Sequence, residues 1–482
     1  MLAVFVLYLT VLTAIVIYSA KKSKSNADFV LGGNKISGVS LAISERATGE
    51  SSWLLLGLTG HAFIDGYSTL WVALGCVIGI VFIWAFMAEP LRKLTEETGA
   101  LTITSLFTKK FPGSEKSIGV LSASIIGFFF LFYIAAQYSG AGKVFQEAFG
   151  MDPLWGMILG SAMVTLYTML GGFITVVATD VFQGILMIVT LIVLPIVALF
   201  FIASNNIDIA NAFSQASPEY VSLTAGKSGF AAVILIVSGM SWAFGYTGQP
   251  QLLARMMALK DSKDAVTAKW VAIVWTLLTY VGAFGIGIIG FALVKDGVLG
   301  NSAAVLAKDA EQILPAMVMF LLTPILAGIL LSGAVSAMMS TASSQLMVCS
   351  SAVSEDLFQD LSKKKRSQKQ MLWINRLLVV TVGIVAFFIA LWFSDTVYGL
   401  VSYAWAGIGS SFGPAVLLLL FWKRFSKAGV FASLIGGTTS AIIWKNFLAE
   451  PSGISERLGS FVVAFVLAVL FSLLFPKKET VV

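Results

Sequence analysis

The sequence predicts an all-α polytopic membrane protein of about thirteen transmembrane helices, and three observations carry that prediction. Hydrophobic residues fill 58% of the 482 positions and charged ones only 12%, a composition outside that of soluble globular chains. Apolar runs near the roughly 20 residues needed to cross a hydrocarbon layer recur along the whole chain. Most of the 31 Lys and Arg fall in alternate breaks between those runs, as cytoplasmic loops require.

In order, the runs are 2–20, 39–63, 66–88, 118–146, 153–175, 180–203, 229–253, 267–294, 315–352, 372–393, 397–422, 428–447 and 459–475. The first has no basic n-region or A-x-A site and is followed by lysines, so it reads as a span and not as a signal peptide. The run 315–352 is long for one crossing and reads as a tilted helix or one that extends into the cytoplasm. The basic breaks are Lys21, Lys22, Lys24 and Lys35; Arg92, Lys93, Lys109, Lys110 and Lys116; and Arg255, Lys260 and Lys263. Further along come Lys363, Lys364, Lys365, Arg366 and Lys369, then Lys423, Arg424 and Lys427, and last Lys477 and Lys478. Together they place the N-terminus outside and the C-terminus inside.

Loops 204–227 and 295–314 then fall outside, where they would cap the outer mouth. The net charge of +6 sits in short loops, so bilayer lipid is the expected partner and nucleic acid is not. No soluble domain fits between the spans, which excludes a fused kinase or nucleotidase. Cys76 and Cys349 lie in apolar runs and read as packing residues. His61 is the only histidine, which argues against a histidine metal site or proton relay.

The second span is interrupted. Ser44 to Gly60 reads SERATGESSWLLLGLTG, with Thr48, Gly49, Ser51 and Ser52 together in mid-span. Two readings fit: a broken helix whose freed carbonyls bind a cation, or a kinked helix whose small residues let a neighbour pack closely. Glu45 and Arg46 are adjacent, so a regular helix points them to different sides. The seventh span, SGMSWAFGYTGQPQLLAR, holds Gly239, Gly245, Gly248 and Pro250 and is the second broken helix.

Interrupted spans five apart run in opposite directions, so spans 2–6 and 7–11 form two five-helix units of inverted topology. That arrangement points to a secondary transporter with its site at the repeat interface. The chain divides accordingly into 1–38, 39–203, 204–427 and 428–482. The ninth span supplies hydroxyls from Ser332, Ser336, Ser340, Thr341, Ser343, Ser344, Ser350 and Ser351. They suit an alkali cation, and they equally suit bonding back to their own helix or gluing helices together. Asp180 begins the sixth span, where a carboxylate either faces a cation or caps the helix. No HExxH, GxSxG or paired-aspartate motif appears, so an enzyme is not expected.

Four blocks carry a family resemblance: SSWLLLGLTG at 51–60, GGFITVVATDVFQGILM at 171–187, WAFGYTGQPQLLARMMA at 242–258 and AMMSTASSQLMVCSSAVSEDL at 337–357. In this order they resemble the solute:sodium symporter family, and within it the bacterial sodium/proline symporters. The resemblance implies the inverted five-plus-five core of the LeuT fold, an extra N-terminal span and two C-terminal ones. It implies sodium-coupled import of proline or a similar small amino acid by alternating access, in the plasma (inner) membrane of a bacterium. One sodium (Na+) site falls on main-chain carbonyls of Ala47 and Glu50 with Ala337, Ser340 and Thr341. A second falls on Asp180, Ser340, Ser343 and Ser344. The solute positions fall on Tyr133, Trp242, Tyr246, Gln249 and Pro250, with Gly49 and Ser51 from the broken second span.

One departure stands out. The proline members carry an aspartate where this chain has Gly49 and a neutral residue where it has Glu50, so the carboxylate has moved about 100° round the helix. It serves the site through an unwound backbone, accepts a proton, or accompanies a different solute. The alternatives are therefore a sodium- or proton-coupled symporter of another amino acid, a carboxylate, a sugar acid or a vitamin, and a transport-like sensor. A channel is disfavoured by the pair of broken helices.

Overall fold

The computed structural model describes residues 1–21, 26–354, 367–393 and 395–476, and among them there are helices and no strands. The loop residues Lys22, Lys24, Lys363, Lys364, Lys365, Arg366, Lys477 and Lys478 lie outside the described residues, as do the last residues of the SSAVSEDLF stretch.

Helix α1 is Leu2–Ala20. Helix α2 covers 38–65 in three pieces: Gly38–Ser52, a wide π turn Trp53–Leu58, and Thr59–Asp65. Helix α3 covers 70–98, again with a π turn at Ile83–Met87. Helix α4 is Glu115–Phe149. The continuous helical stretch Pro153–Ser204 is 52 residues long, about twice what one crossing uses, and is broken at Gly172 with φ 69°. Only glycine adopts that conformation freely, and it separates α5 (153–171) from α6 (173–204).

Helix α7 covers 229–257 as Gly229–Met240, Trp242–Tyr246 and Pro250–Met257. Then follow α8 (Ser262–Lys295), α9 (Pro324–Ser351), α10 (Gln368–Trp392), α11 (Val397–Phe421), α12 (427–448) and α13 (Glu456–Leu474). Among the described residues, ten helical stretches are long and apolar enough to cross a membrane. Side chains cap several starts. Asp261 accepts from the Asp264 N–H at 2.9 Å, and that bond, helped by the Lys263 N–H, holds its carboxyl below the usual carboxylate range.

The structure corrects four expectations. The run 315–352 is two helices, Ile313–Leu321 and Pro324–Ser351. Pro324 has no N–H to continue the first and sits at the start of the second, where none is needed. Asp180 does not begin a helix: α6 starts at residue 173, so the capping reading falls. Glu45 and Arg46 do not point apart, because the long arginine side chain folds back onto its neighbour's carboxylate. Arg255 is not a loop charge. It is fully buried in α7.

Helix α9 is the most enclosed of the apolar helices, with 83% of its most apolar stretch buried against 28% for α1. It packs on α2, α4, α5 and α6, while α8 packs on α2 and α6, and α11 to α13 form a connected group that leans on α4. The broken part of α2 therefore lies between α8 and α9. Residues 204–228 close over one end of the bundle. There the Tyr67 N–H donates to Tyr220 O at 2.9 Å and Trp71 Nε1 donates to Leu223 O at 2.7 Å.

Candidate transport site

The break in α2 falls at Ser51, whose φ of 54° and ψ of −173° interrupt the helix. A serine rarely adopts this conformation, so the surroundings must hold it there. Its own Oγ accepts from the Trp53 N–H at 3.0 Å. Gln137 of α4 accepts at Oε1 from both the N–H and the hydroxyl of Ser52, at 3.1 and 2.9 Å. Main-chain donors freed by the break are thus satisfied locally. Gly49 lets α7 approach: a Cβ there would meet Leu252 at 3.3 Å and the Arg46 guanidinium at 3.4 Å.

The hydroxyls of α9 reach the carbonyls on the other side of α2. Ser340 Oγ donates to Ala47 O at 3.0 Å and Thr341 Oγ1 donates to Thr48 O at 2.9 Å. Ser340 Oγ also lies 3.1 Å from Ala337 O. Ala47, Ala337, Ser340 and Thr341 therefore come together as one group of oxygens, all fully buried. The Glu50 carbonyl accepts the Trp53 N–H, and its side chain turns to α8. Of the remaining α9 hydroxyls, Ser336 donates to Tyr8 OH at 3.1 Å and so faces α1.

Asp180, Ser344 and Thr48 form a second group, but with a cation already in it. Asp180 Oδ2 accepts from Ser44 Oγ at 2.6 Å and from Arg255 Nη2 at 3.1 Å. The same Nη2 donates to Ser344 Oγ at 2.6 Å and to Thr48 Oγ1 at 3.2 Å. Ser343 instead bonds back to Ser340 O at 2.9 Å. Asp180 Oδ1 is buried with no hydrogen-bond partner among the described residues. Sequence reasoning missed Arg255 because it stands in a run of basic residues. Its one signal is its position a single helical turn beyond Gln251, inside an otherwise apolar stretch, and Nη1 does donate to Gln251 O at 2.6 Å.

The aromatic wall is larger than the sequence suggested. Trp242 packs against Trp53 with ring centroids 4.2 Å apart and planes tilted by 39°, and Tyr246 meets Trp405 edge-on at 4.6 Å. Tyr246 OH bonds Tyr280 OH at 2.9 Å. Gln249 Nε2 donates to Trp405 O at 3.3 Å, and Pro250 starts the next helical piece beside it. Tyr133 is buried on α4, one turn before Gln137. Trp53, Tyr280 and Trp405 are the missed members. Trp53 belongs to a quoted motif, while the other two lie in ordinary apolar helix with nothing to mark them.

Two interrupted helices whose breaks are lined by buried hydroxyls, carbonyls and aromatic rings, inside an all-helical bundle, define a membrane transporter. The comparisons agree. Residues 29–437 match the profile of the Sodium:solute symporter family. The osmoregulated proline transporter OpuE of Bacillus subtilis (strain 168) is 36% identical over 464 residues, covering 95% of this chain and 91% of that protein. The sodium/proline symporter of Escherichia coli (strain K12) is 36% identical over 475 residues, covering 98% and 93%. In fold, a substrate-bound, outward-open Na+-coupled sialic acid symporter superposes with a TM-score of 0.81 at 18% identity, covering 99% of this chain and 98% of that one. MhsT, solved with L-phenylalanine, gives 0.57 at 16% identity, covering 90% and 98%. The chain belongs to the sodium:solute symporter family and is a sodium-coupled transporter, not an enzyme.

Proposed function

We propose that this chain imports proline, or a similarly small amino acid, together with sodium by alternating access across the plasma membrane of a bacterium. The observation that carries it is the pair of cross-links from Ser340 and Thr341 to the carbonyls of Ala47 and Thr48. A sodium ion entering there replaces hydroxyl protons as the partner of those carbonyls and holds α2 against α9 without a permanent charge to trap it. The proline assignment is supported by the names of the relatives and by the Trp242–Tyr246 wall, which suits a small apolar ring.

In this reading thirteen helices cross the bilayer, with the N-terminus outside and the C-terminus inside, and α2–α6 and α7–α11 are the two inverted units. The first sodium takes carbonyls of Ala47 and Glu50 with Ala337, Ser340 and Thr341. A second sodium uses Asp180 with Ser340, Ser343 and Ser344, and Arg255 must withdraw from Asp180 to admit it. One charge crossing 100 mV contributes about 2.3 kcal/mol to uptake, before any concentration difference.

The test is uptake of labelled proline into vesicles holding the purified protein, under a sodium gradient and under a pH gradient alone. Saturable, sodium-driven accumulation is expected, reduced about tenfold or more by Ser340→Ala or Thr341→Ala. Accumulation that ignores sodium overturns the coupling, and sodium-dependent stability without proline uptake overturns the choice of solute.

A further inference from the structure

Three ionisable side chains are fully buried around the break in α2: Glu45, Arg46 and Glu50. Arg46 is spent on Glu45. Its Nε donates to Glu45 Oε2 at 2.6 Å, its Nη2 donates to Oε1, and Trp84 Nε1 adds a bond to Glu45 Oε2 at 2.8 Å. Glu50 is left with neutral donors only. Trp275 Nε1 donates to Oε2 at 3.0 Å and Thr279 Oγ1 donates to Oε1 at 2.8 Å. Of the other buried ion pairs, Asp180 with Arg255 lies on the α9 side of α2, and Glu456 with Arg457 is paired within itself beside Trp242. Among the described residues no Lys or Arg forms an ion pair with Glu50.

The charges at the break therefore sum to one negative. A carboxylate at this depth with no cation bonded to it costs several kcal/mol, a cost that a proton or an arriving cation removes. The side chain also lies beside the aromatic wall. Tyr280 follows Thr279 on α8 and bonds Tyr246 through its hydroxyl, and the Arg46 guanidinium lies 5.8 Å from the centre of the Tyr246 ring. Glu50 thus borders the aromatic wall on the α8 side, while Ser340 and Thr341 meet α2 on the other.

The chemistry of the neighbours selects the cation. Trp275 offers an N–H with no lone pair, and Thr279 spends its hydroxyl hydrogen on the carboxylate. An alkali ion needs several oxygens in place of its water, and this corner supplies few. An organic ammonium needs only acceptors, which the carboxylate provides, and its charge makes the bond a strong one.

We infer that the Glu50 carboxylate accepts the protonated amine of the solute, so that the solute itself brings the charge this site lacks. The inference rests on the reading of the chain as an amino-acid symporter and adds to it the group that selects for a cationic nitrogen. The carbonyl of Glu50 remains for the ion, and the two parts of one residue serve two ligands.

The test compares L-proline with tetrahydrofuran-2-carboxylate, in which a ring oxygen replaces the ammonium nitrogen. Binding of both is measured to the full-length purified protein at saturating sodium, for the wild type and for Glu50→Gln. The wild type is expected to prefer proline by about 30-fold or more, and Glu50→Gln to lose most of that preference by weakening proline alone. Sodium affinity without solute is measured on the same variant, because the Glu50 carbonyl belongs to the ion site, and this separates a loss at the ion from a loss at the solute. Equal weakening of both solutes, or of neither, overturns the role of Glu50, as does a loss confined to sodium affinity. A wild type that neither binds nor takes up proline overturns the underlying reading instead, and the uptake assay reports that separately. Should Glu50→Gln not fold, Trp275→Phe removes the N–H that aims the carboxylate. It should weaken proline about threefold to tenfold and spare the analogue, and an unchanged ratio of the two overturns the inference.

Discussion

Arg255 shows how one side chain changes the meaning of its neighbours. With its guanidinium in place, Asp180, Ser344 and Thr48 are a satisfied buried network; without it, Asp180 is a bare carboxylate among hydroxyls. Removing one partner of a buried pair costs ~3–5 kcal/mol, whereas replacing both by apolar groups is often close to neutral. Arg255→Met is therefore expected to lower thermal stability by that amount in sodium-free buffer, and Arg255→Met with Asp180→Leu to recover most of it. If Asp180 also holds sodium, added salt will rescue the single variant and not the double one. Sodium and choline titrations of the unfolding temperature separate the two. Gln137 acts on a similar scale, since it alone receives both donors of Ser52 next to the strained Ser51.

Among elements, close approach is set by glycines where helices cross. Gly245 lies against the Trp405 indole of α11, and a Cβ on it would overlap that ring. The middle piece of α7 and the wall made by Trp405, Trp242 and Tyr246 are thus positioned together. Gly245→Ala is expected to cost ~1–3 kcal/mol of stability and to raise the KM for solute several-fold by displacing Trp405. Uptake kinetics and unfolding measured on the same preparation check both. The split at Pro324 belongs to this scale as well. It turns a long apolar run into a short helix, Ile313–Leu321, that packs near α4 and α8, and a separate α9 that enters the site.

Across the whole molecule, the end that carries residues 204–228 and 296–323, the end expected to face outward, is cross-linked by charge. Lys143 of α4 pairs with Asp309 at 2.8 Å and with Glu311 at 2.5 Å. Glu311 in turn accepts from the N–H groups of Val397 and Tyr398 at the start of α11, at 2.9 and 2.8 Å. A helix start favours a carboxylate, so this one residue ties α4 to α11. Lys143→Met leaves two carboxylates unpaired and is expected to shift the population towards an outward-open state by about tenfold. Labelling of an Ala62→Cys probe by a membrane-impermeant maleimide should accelerate by a similar factor, and excess sodium should add to it.

Composition, run lengths and the placement of basic residues were enough to read an all-helical membrane protein, because crossing hydrocarbon imposes length and apolarity on each span whatever its neighbours do. The break in α7 was legible for a related reason: Gly245, Gly248 and Pro250 are local breakers, and their effect needs no partner. The break in α2 was legible only as one of two readings, because Ser51 is held in its conformation by its surroundings. Pairings between distant helices were not legible. Asp180 and Arg255 stand 75 residues apart, and Glu50 meets Trp275 and Thr279 only because α8 lies beside the break. Local rules could not choose between ion site, cap and packing glue for a serine or an aspartate, since each makes the same bonds to different partners. Which hydroxyl faces which carbonyl was decided by how α2, α7, α8 and α9 pack, since each of these groups borrows its partners from another helix.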